Sequence, residues 1–152
     1  MPRALYLADT SVWVLRFRHE VVKDRCDGLM LAGRLGLCQT TALEFLSAAP
    51  DPQVYAELRK WMDGLLRMDV TADAMRRAVD VHAKLAEKDW HRDFRLPALV
   101  TAATAEIHGV SLLHYDRDFE RIAEITGQPH EWVAPRGSLL SRTEDRSHMS
   151  TA

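Results

Sequence analysis

Cysteine is scarce in this chain of 152 residues: Cys26 and Cys38 are the only two. They lack the spacing of a metal site and lie in apolar settings, Cys26 in a helical pattern and Cys38 in a strand, so they read as buried free thiols in a reducing cytoplasm. An excess of positive charge is missing too. Lys and Arg number 20 against 22 Asp and Glu, a net charge of -2, so any nucleic-acid site must be local. No stretch reaches the ~18 apolar residues of a membrane span. Met1 leads directly into a short strand without a signal core, so a cytoplasmic location without membrane association is expected. Internal repeats and an interdomain linker are also lacking. What is present, 47% apolar residues, suits one domain with one core.

Short apolar runs alternate with helical patterns. Leu5-Tyr6-Leu7-Ala8 resembles a buried parallel strand, and Asp9-Thr10-Ser11 then offers caps for a helix from about Val12. Helical spacing over Val21 to Arg34 precedes a strand at Gly36-Leu37-Cys38-Gln39. Thr40 or Thr41 is expected to cap the next helix, with Glu44 in its first turn. Pro50-Asp51-Pro52 opens another helix, Leu65 to Val70 is a third strand candidate, and Thr71 caps a long amphipathic stretch. Pro97 suits the first turn of a helix running to Ile107 and ended at Gly109. Val110 to His114 is a fourth strand, followed by a short helix from Asp118 to Thr126 and a last strand around Trp132-Val133. The pattern predicts an α/β fold, three layers in α/β/α order around a parallel sheet with right-handed crossovers. Residues 1–138 form the domain, and 139–152 read as a disordered polar tail.

In such sheets ligands bind beyond the carboxyl ends of the strands. Asp9, Glu44, Asp116 and Asp118 all fall there. Taken singly, each has an ordinary reading: Asp9 as a helix cap, Glu44 as a partner of the helix dipole, Asp116 and Asp118 as turn residues. Gathered at one edge they would repel and raise one another's pKa, which makes sense chiefly if Mg²⁺ or Mn²⁺ neutralises them. Such an ion would polarise a phosphodiester and generate hydroxide from water. His114, at the end of a buried strand, reads as packed or hydrogen-bonded rather than as a ligand. Arg16 and Arg18 after the first acid, with His91, Arg92 and Arg95 before the later helix, could form a local rim for RNA phosphates. Trp13, Tyr55, Trp61, Trp90 and Trp132 are expected in the core or an interface rather than as base-stacking platforms.

The series Tyr6-Leu7-Ala8-Asp9-Thr10-Ser11-Val12-Trp13, Thr40-Thr41-Ala42-Leu43-Glu44, Arg95-Leu96-Pro97-Ala98-Leu99 and Leu112-Leu113-His114-Tyr115-Asp116-Arg117-Asp118-Phe119 resembles the PIN-domain ribonuclease toxins of the VapC type. The ending Thr126-Gly127-Gln128-Pro129-His130-Glu131-Trp132-Val133 is similar to the actinobacterial members. The resemblance spans about Leu5 to Gly137. It implies a metal-dependent endoribonuclease with Asp9, Glu44 and Asp116 as metal-holding acids and Asp118 as an auxiliary. It also implies an RNA substrate, a cognate antitoxin that blocks the acidic pocket, and a toxin homodimer.

One position departs from that pattern. The family carries an aspartate after the Pro of its Leu-Pro-Asp motif, and this chain has Leu96-Pro97-Ala98. A methyl group cannot coordinate Mg²⁺, so catalysis by this chain is expected to be weak or lost. Asp93 is a poor substitute, because it lies before the helix. The competing expectation is a noncatalytic PIN-like module that binds RNA or titrates an antitoxin. A phosphatase using Asp116 and Asp118 is disfavoured, because that chemistry usually places its Asp pair after the first strand.

Overall fold

The computed structural model describes residues 3–139. Strands β1 (Tyr6–Ala8), β2 (Leu35–Leu37), β3 (Leu66–Arg67), β4 (Ser111–His114) and β5 (His130–Trp132) form one sheet in the order β3-β2-β1-β4-β5. Every neighbouring pair is parallel, as the short apolar runs predict. The connecting helices are α1 (Thr10–Arg16), α2 (Glu20–Leu31), α3 (Gln39–Ser47), α4 (Pro52–Met62), α5 (Ala72–Glu87), α6 (Leu96–His108) and α7 (Asp118–Thr126). The tail expected beyond 138 lies, apart from Leu139, outside the described residues. Among those residues no helix is long and apolar enough to cross a membrane.

Alternation along the strands divides the interior into two layers. Tyr6 and Ala8 of β1 and Leu113 of β4 pack with Val12, Trp13, Val22, Cys26 and Phe45 of α1, α2 and α3. Leu7 and Leu112, pointing the other way, pack with α5, α6 and α7 through Leu85, Leu99, Phe119 and Ile122. The helices therefore cover both faces, as expected for the α/β/α arrangement.

Most boundaries follow the punctuation in the sequence. Thr71 caps α5 by accepting from the backbone N–H of Ala74, and Gly109, at φ 67°, ends α6 in the left-handed region ahead of β4. The β2–α3 junction differs from expectation. The strand stops at Leu37, and Cys38 rather than Thr40 or Thr41 occupies the cap, because the Thr41 hydroxyl bonds back to the backbone of Cys38. Helix α3 thus starts earlier, and Glu44 sits in its second turn. Both thiols are free and buried, as expected, and burial pushes Cys26 up to about 11.

The chain builds outward from β1 through β2 to β3, then returns across the sheet to place β4 on the other side of β1. That reversal opens a crevice between the carboxyl ends of β1 and β4. The Asp9 backbone N–H donates to Leu113 O at 2.9 Å, and the Tyr115 N–H donates to the Ser11 hydroxyl at 3.0 Å. The two loops that carry the acids are thereby tied together.

Candidate functional site

Asp9 follows β1 and caps α1: its Oδ2 accepts from the Ser11 N–H at 3.0 Å. The other oxygen, Oδ1, is buried and has no hydrogen-bond partner among the described residues. Burial raises the carboxyl above its usual pKa, against the opposing pull of the Ser11 bond, of the nearby Thr10 backbone N–H and of the Arg95 charge. An orphaned, buried oxygen costs stability as an anion, a cost that capping α1 does not itself require.

Glu44 reaches the same region from α3. Its Oε1 accepts from the Thr10 hydroxyl at 3.1 Å, directly beside Asp9, and its Oε2 accepts from Arg95. Arg95 stands immediately before α6. Burial opposes its charge, but the bond to Glu44 and the carboxylates of Glu44, Asp9 and Asp116 outweigh it and raise its pKa. The expected phosphate-holding rim residue is therefore already engaged with the acids.

Asp116 follows β4, and its Oδ1 accepts from the Asp118 N–H at 2.9 Å. Its own N–H donates to His114 Nδ1 at 3.1 Å, so the remaining nitrogen, Nε2–H, donates to His130 Nδ1 at 3.0 Å. Burial, then the facing His130, pushes His114 down to about 3, which keeps the ring neutral and its Nδ1 an acceptor. His114 is packed and hydrogen-bonded, as expected, and it positions Asp116. Asp118 begins α7; burial and the Asp116 charge raise its carboxyl, partly offset by Arg121 3.6 Å away.

Ala98 is buried in the first turn of α6. Its neighbours at i−3 and i+3, Arg95 and Thr101, lie on the same helical face. Arg95 bonds Glu44, and Thr101 meets the Thr40 hydroxyl at 2.7 Å. Thr40 and Glu44 are in turn i and i+4 on α3. Position 98 therefore faces the stripe of α3 that carries Glu44. Asp93 does not substitute for a carboxylate there, because it pairs with Arg121 at 3.1 Å.

The residues fit a hard divalent cation in the chemistry of their donors, which are oxygens, and in the unmet Oδ1 of Asp9. They fall short in number: among the described residues no three His, Cys, Asp or Glu side chains form a ready ligand set. The shortfall is consistent with an alanine where a carboxylate is expected. The rim also differs from expectation. Arg16 is held by Asp27 at 2.7 Å and lies over the Trp61 ring, and Arg92 faces Asp89 at 3.8 Å, whereas Arg18 is exposed and forms no ion pair among the described residues. The bridging roles of Thr10 and Thr101 carry no spacing signal in the sequence, where Thr10 reads only as a candidate cap.

Asp9 offers a test that needs no substrate. A carboxyl whose pKa is raised by folding binds its proton more tightly in the native state, so the stability it lends at low pH is lost as the pH rises through that value. Asparagine stays neutral, and its amide oxygen can still cap Ser11. Without divalent cations, Asp9→Asn is expected to melt at or above the parent temperature at pH 7, with the gap closing on acidification. A clear fall in melting temperature at pH 7 would show that the cap dominates.

The sequence matches the PIN domain over residues 6–125. Ribonuclease VapC18 of Mycobacterium tuberculosis is 39% identical over 137 residues, covering 89% of this chain and 99% of its own. Ribonuclease VapC21 of the same species is 39% identical over 134 residues, covering 88% and 96%. Among solved structures, DNA-bound VapBC from Salmonella typhimurium superposes with a TM-score of 0.71 at 19% identity, over 87% of this chain and 100% of the other. VapBC2 from Rickettsia felis, bound to a fragment of its promoter, gives 0.69 at 16% identity, over 84% and 98%. These structural likenesses show the fold, and the sequence matches go further: the chain belongs to the PIN-domain family, among the VapC ribonucleases.

Proposed function

We propose that this chain is the toxin of a toxin-antitoxin pair, a cytoplasmic endoribonuclease that depends on Mg²⁺ or Mn²⁺ and is left with little or no activity by Ala98. The observation that carries this reading is the buried Asp9 Oδ1, unpartnered among the described residues, at the carboxyl ends of the adjacent strands β1 and β4. Asp9 and Asp116 would hold the ion, and Glu44 would join them directly or through water. Bound there, the ion supplies charge neutralisation and Lewis acidity toward an RNA phosphodiester. Thr10 and Arg95 fix the Glu44 carboxylate, and His114 fixes the loop of Asp116. Asp118, at the start of α7 with its N–H on Asp116, would serve as the auxiliary acid.

Ala98 and the Arg95–Glu44 contact also favour a second reading, a noncatalytic module that binds RNA or titrates an antitoxin. In that case Arg95 serves as a built-in cation for acids that no longer hold a metal. Restoration of cleavage by Ala98→Asp separates the two.

The antitoxin is proposed from the VapC relatives and the VapBC structures, and a toxin homodimer from the family resemblance. The antitoxin contact is expected to include a cation reaching the acid cluster, since a guanidinium pairs with carboxylates without any metal. Calorimetry with a cognate antitoxin should give tight binding, within about two orders of magnitude of the Ala98→Asp variant, or roughly 2.7 kcal/mol. No association at micromolar concentration would remove the toxin-antitoxin reading.

A further inference from the structure

Beside the acids, a cavity of about 460 Å³ lies between the end of α1, the β4–α7 loop and the chain after β5. Its volume falls within the range of roughly 300–1,000 Å³ that holds small ligands. Three arginines line it: Arg18, Arg117 and Arg136. The apolar wall is Leu15 with the rings of Tyr115 and Trp132, and Asp116 lines the same cavity.

The arginines are not equivalent. Arg136 pairs with Glu120 at 2.9 Å and lies 5.6 Å from the Trp132 ring centroid. Arg18 and Arg117 are exposed, and neither forms an ion pair among the described residues. Trp132 is half-buried; its indole N–H is spent on Glu120 at 2.8 Å, and the Tyr115 ring meets it edge-on at 5.2 Å. It is thus held on the cavity wall rather than in the core. Two guanidiniums without ion pairs among the described residues, in one cavity with an aromatic wall, suit a ligand that joins an anionic group to a flat apolar one.

We infer that this cavity is a nucleotide subsite for single-stranded RNA, taking the nucleotide next to the phosphate at the acids. Arg18 and Arg117 receive its phosphate, and its base lies against Tyr115 and Trp132. A recess of this kind admits a splayed nucleotide and excludes a duplex, and the guanidinium-aromatic pairing is the usual chemistry of single-strand binding. The subsite also explains how a chain of net charge -2 attracts RNA: the positive charge is concentrated beside the acids. An acidic protein segment could use the arginines but has less need of the aromatic wall.

The inference rests on the ribonuclease reading, so it is tested by binding rather than cleavage. A fluorescent single-stranded RNA oligonucleotide is titrated in EDTA with the chain as it stands, with Arg18→Ala/Arg117→Ala, and with Arg59→Ala/Lys60→Ala. The last removes equal charge from exposed positions of α4. The first pair should weaken binding at least tenfold and reduce the salt slope by about 0.7, the value for one phosphate contact on a single strand. The control pair should change affinity less than threefold. Equal losses for both pairs, no loss for either, or no RNA binding by the parent chain would overturn the subsite. So would unchanged RNA binding accompanied by weakened antitoxin binding, which would assign the cavity to a protein partner. If Ala98→Asp fails to cleave RNA while the binding difference holds, the nuclease reading falls and the subsite stands.

Discussion

The variant Ala98→Asp is expected to cleave RNA in Mg²⁺ or Mn²⁺ at least roughly a hundredfold faster than the chain as it stands. A lost metal ligand or its supporting shell typically forfeits about that much, near 2.7 kcal/mol in the barrier. The geometry says why this position should respond. Position 98 sits between Arg95 and Thr101 on the face of α6 that meets Glu44 and Thr40 of α3. An aspartate there would add a fourth element, α6, to acids now supplied by the β1–α1 loop, by α3 and by the residues after β4. It would also compete with Glu44 for Arg95. EDTA should abolish the gained activity. Equal rates for the two forms on total RNA would remove position 98 from the site.

In the Ala98→Asp background, Asp9→Asn is expected to take cleavage back to the level of the unrestored chain, again a change of about a hundredfold or more. Asp9 is the acid with least else to do, since one oxygen accepts from Ser11 and the other has no partner among the described residues. An amide in its place relieves the buried anion but supplies a weaker donor to a cation. Activity and stability should therefore move apart: cleavage lost, and the metal-free melting temperature held or raised. Retained cleavage would mean that the unmet oxygen is a flaw of packing and not a ligand.

The sheet and the acids beside it were legible because each signal is local. A run of apolar residues followed by an aspartate reads as strand and cap, and Asp9, Asp116 and Asp118 stand at those junctions. Glu44 was misplaced by a turn, since a cysteine seldom caps a helix and the bond from Thr41 to Cys38 leaves no mark in the pattern. The role of Arg95 could not be read at all. Its partner Glu44 is 51 residues away, and only the packing of α3 on α6 brings them together. The fate of the basic residues was illegible for the same reason. Arg16 and Arg18 stand two residues apart near the first acid, and nothing local shows that Asp27 claims one and leaves the other to the cavity.

The central claim, a cation site at the β1–β4 crevice with one ligand missing, can be measured without any RNA. Mn²⁺ titrated calorimetrically into the chain, Ala98→Asp and Ala98→Asp/Asp9→Asn should bind at least about tenfold more tightly to the second than to the others. Equal Mn²⁺ affinity in all three would contradict it.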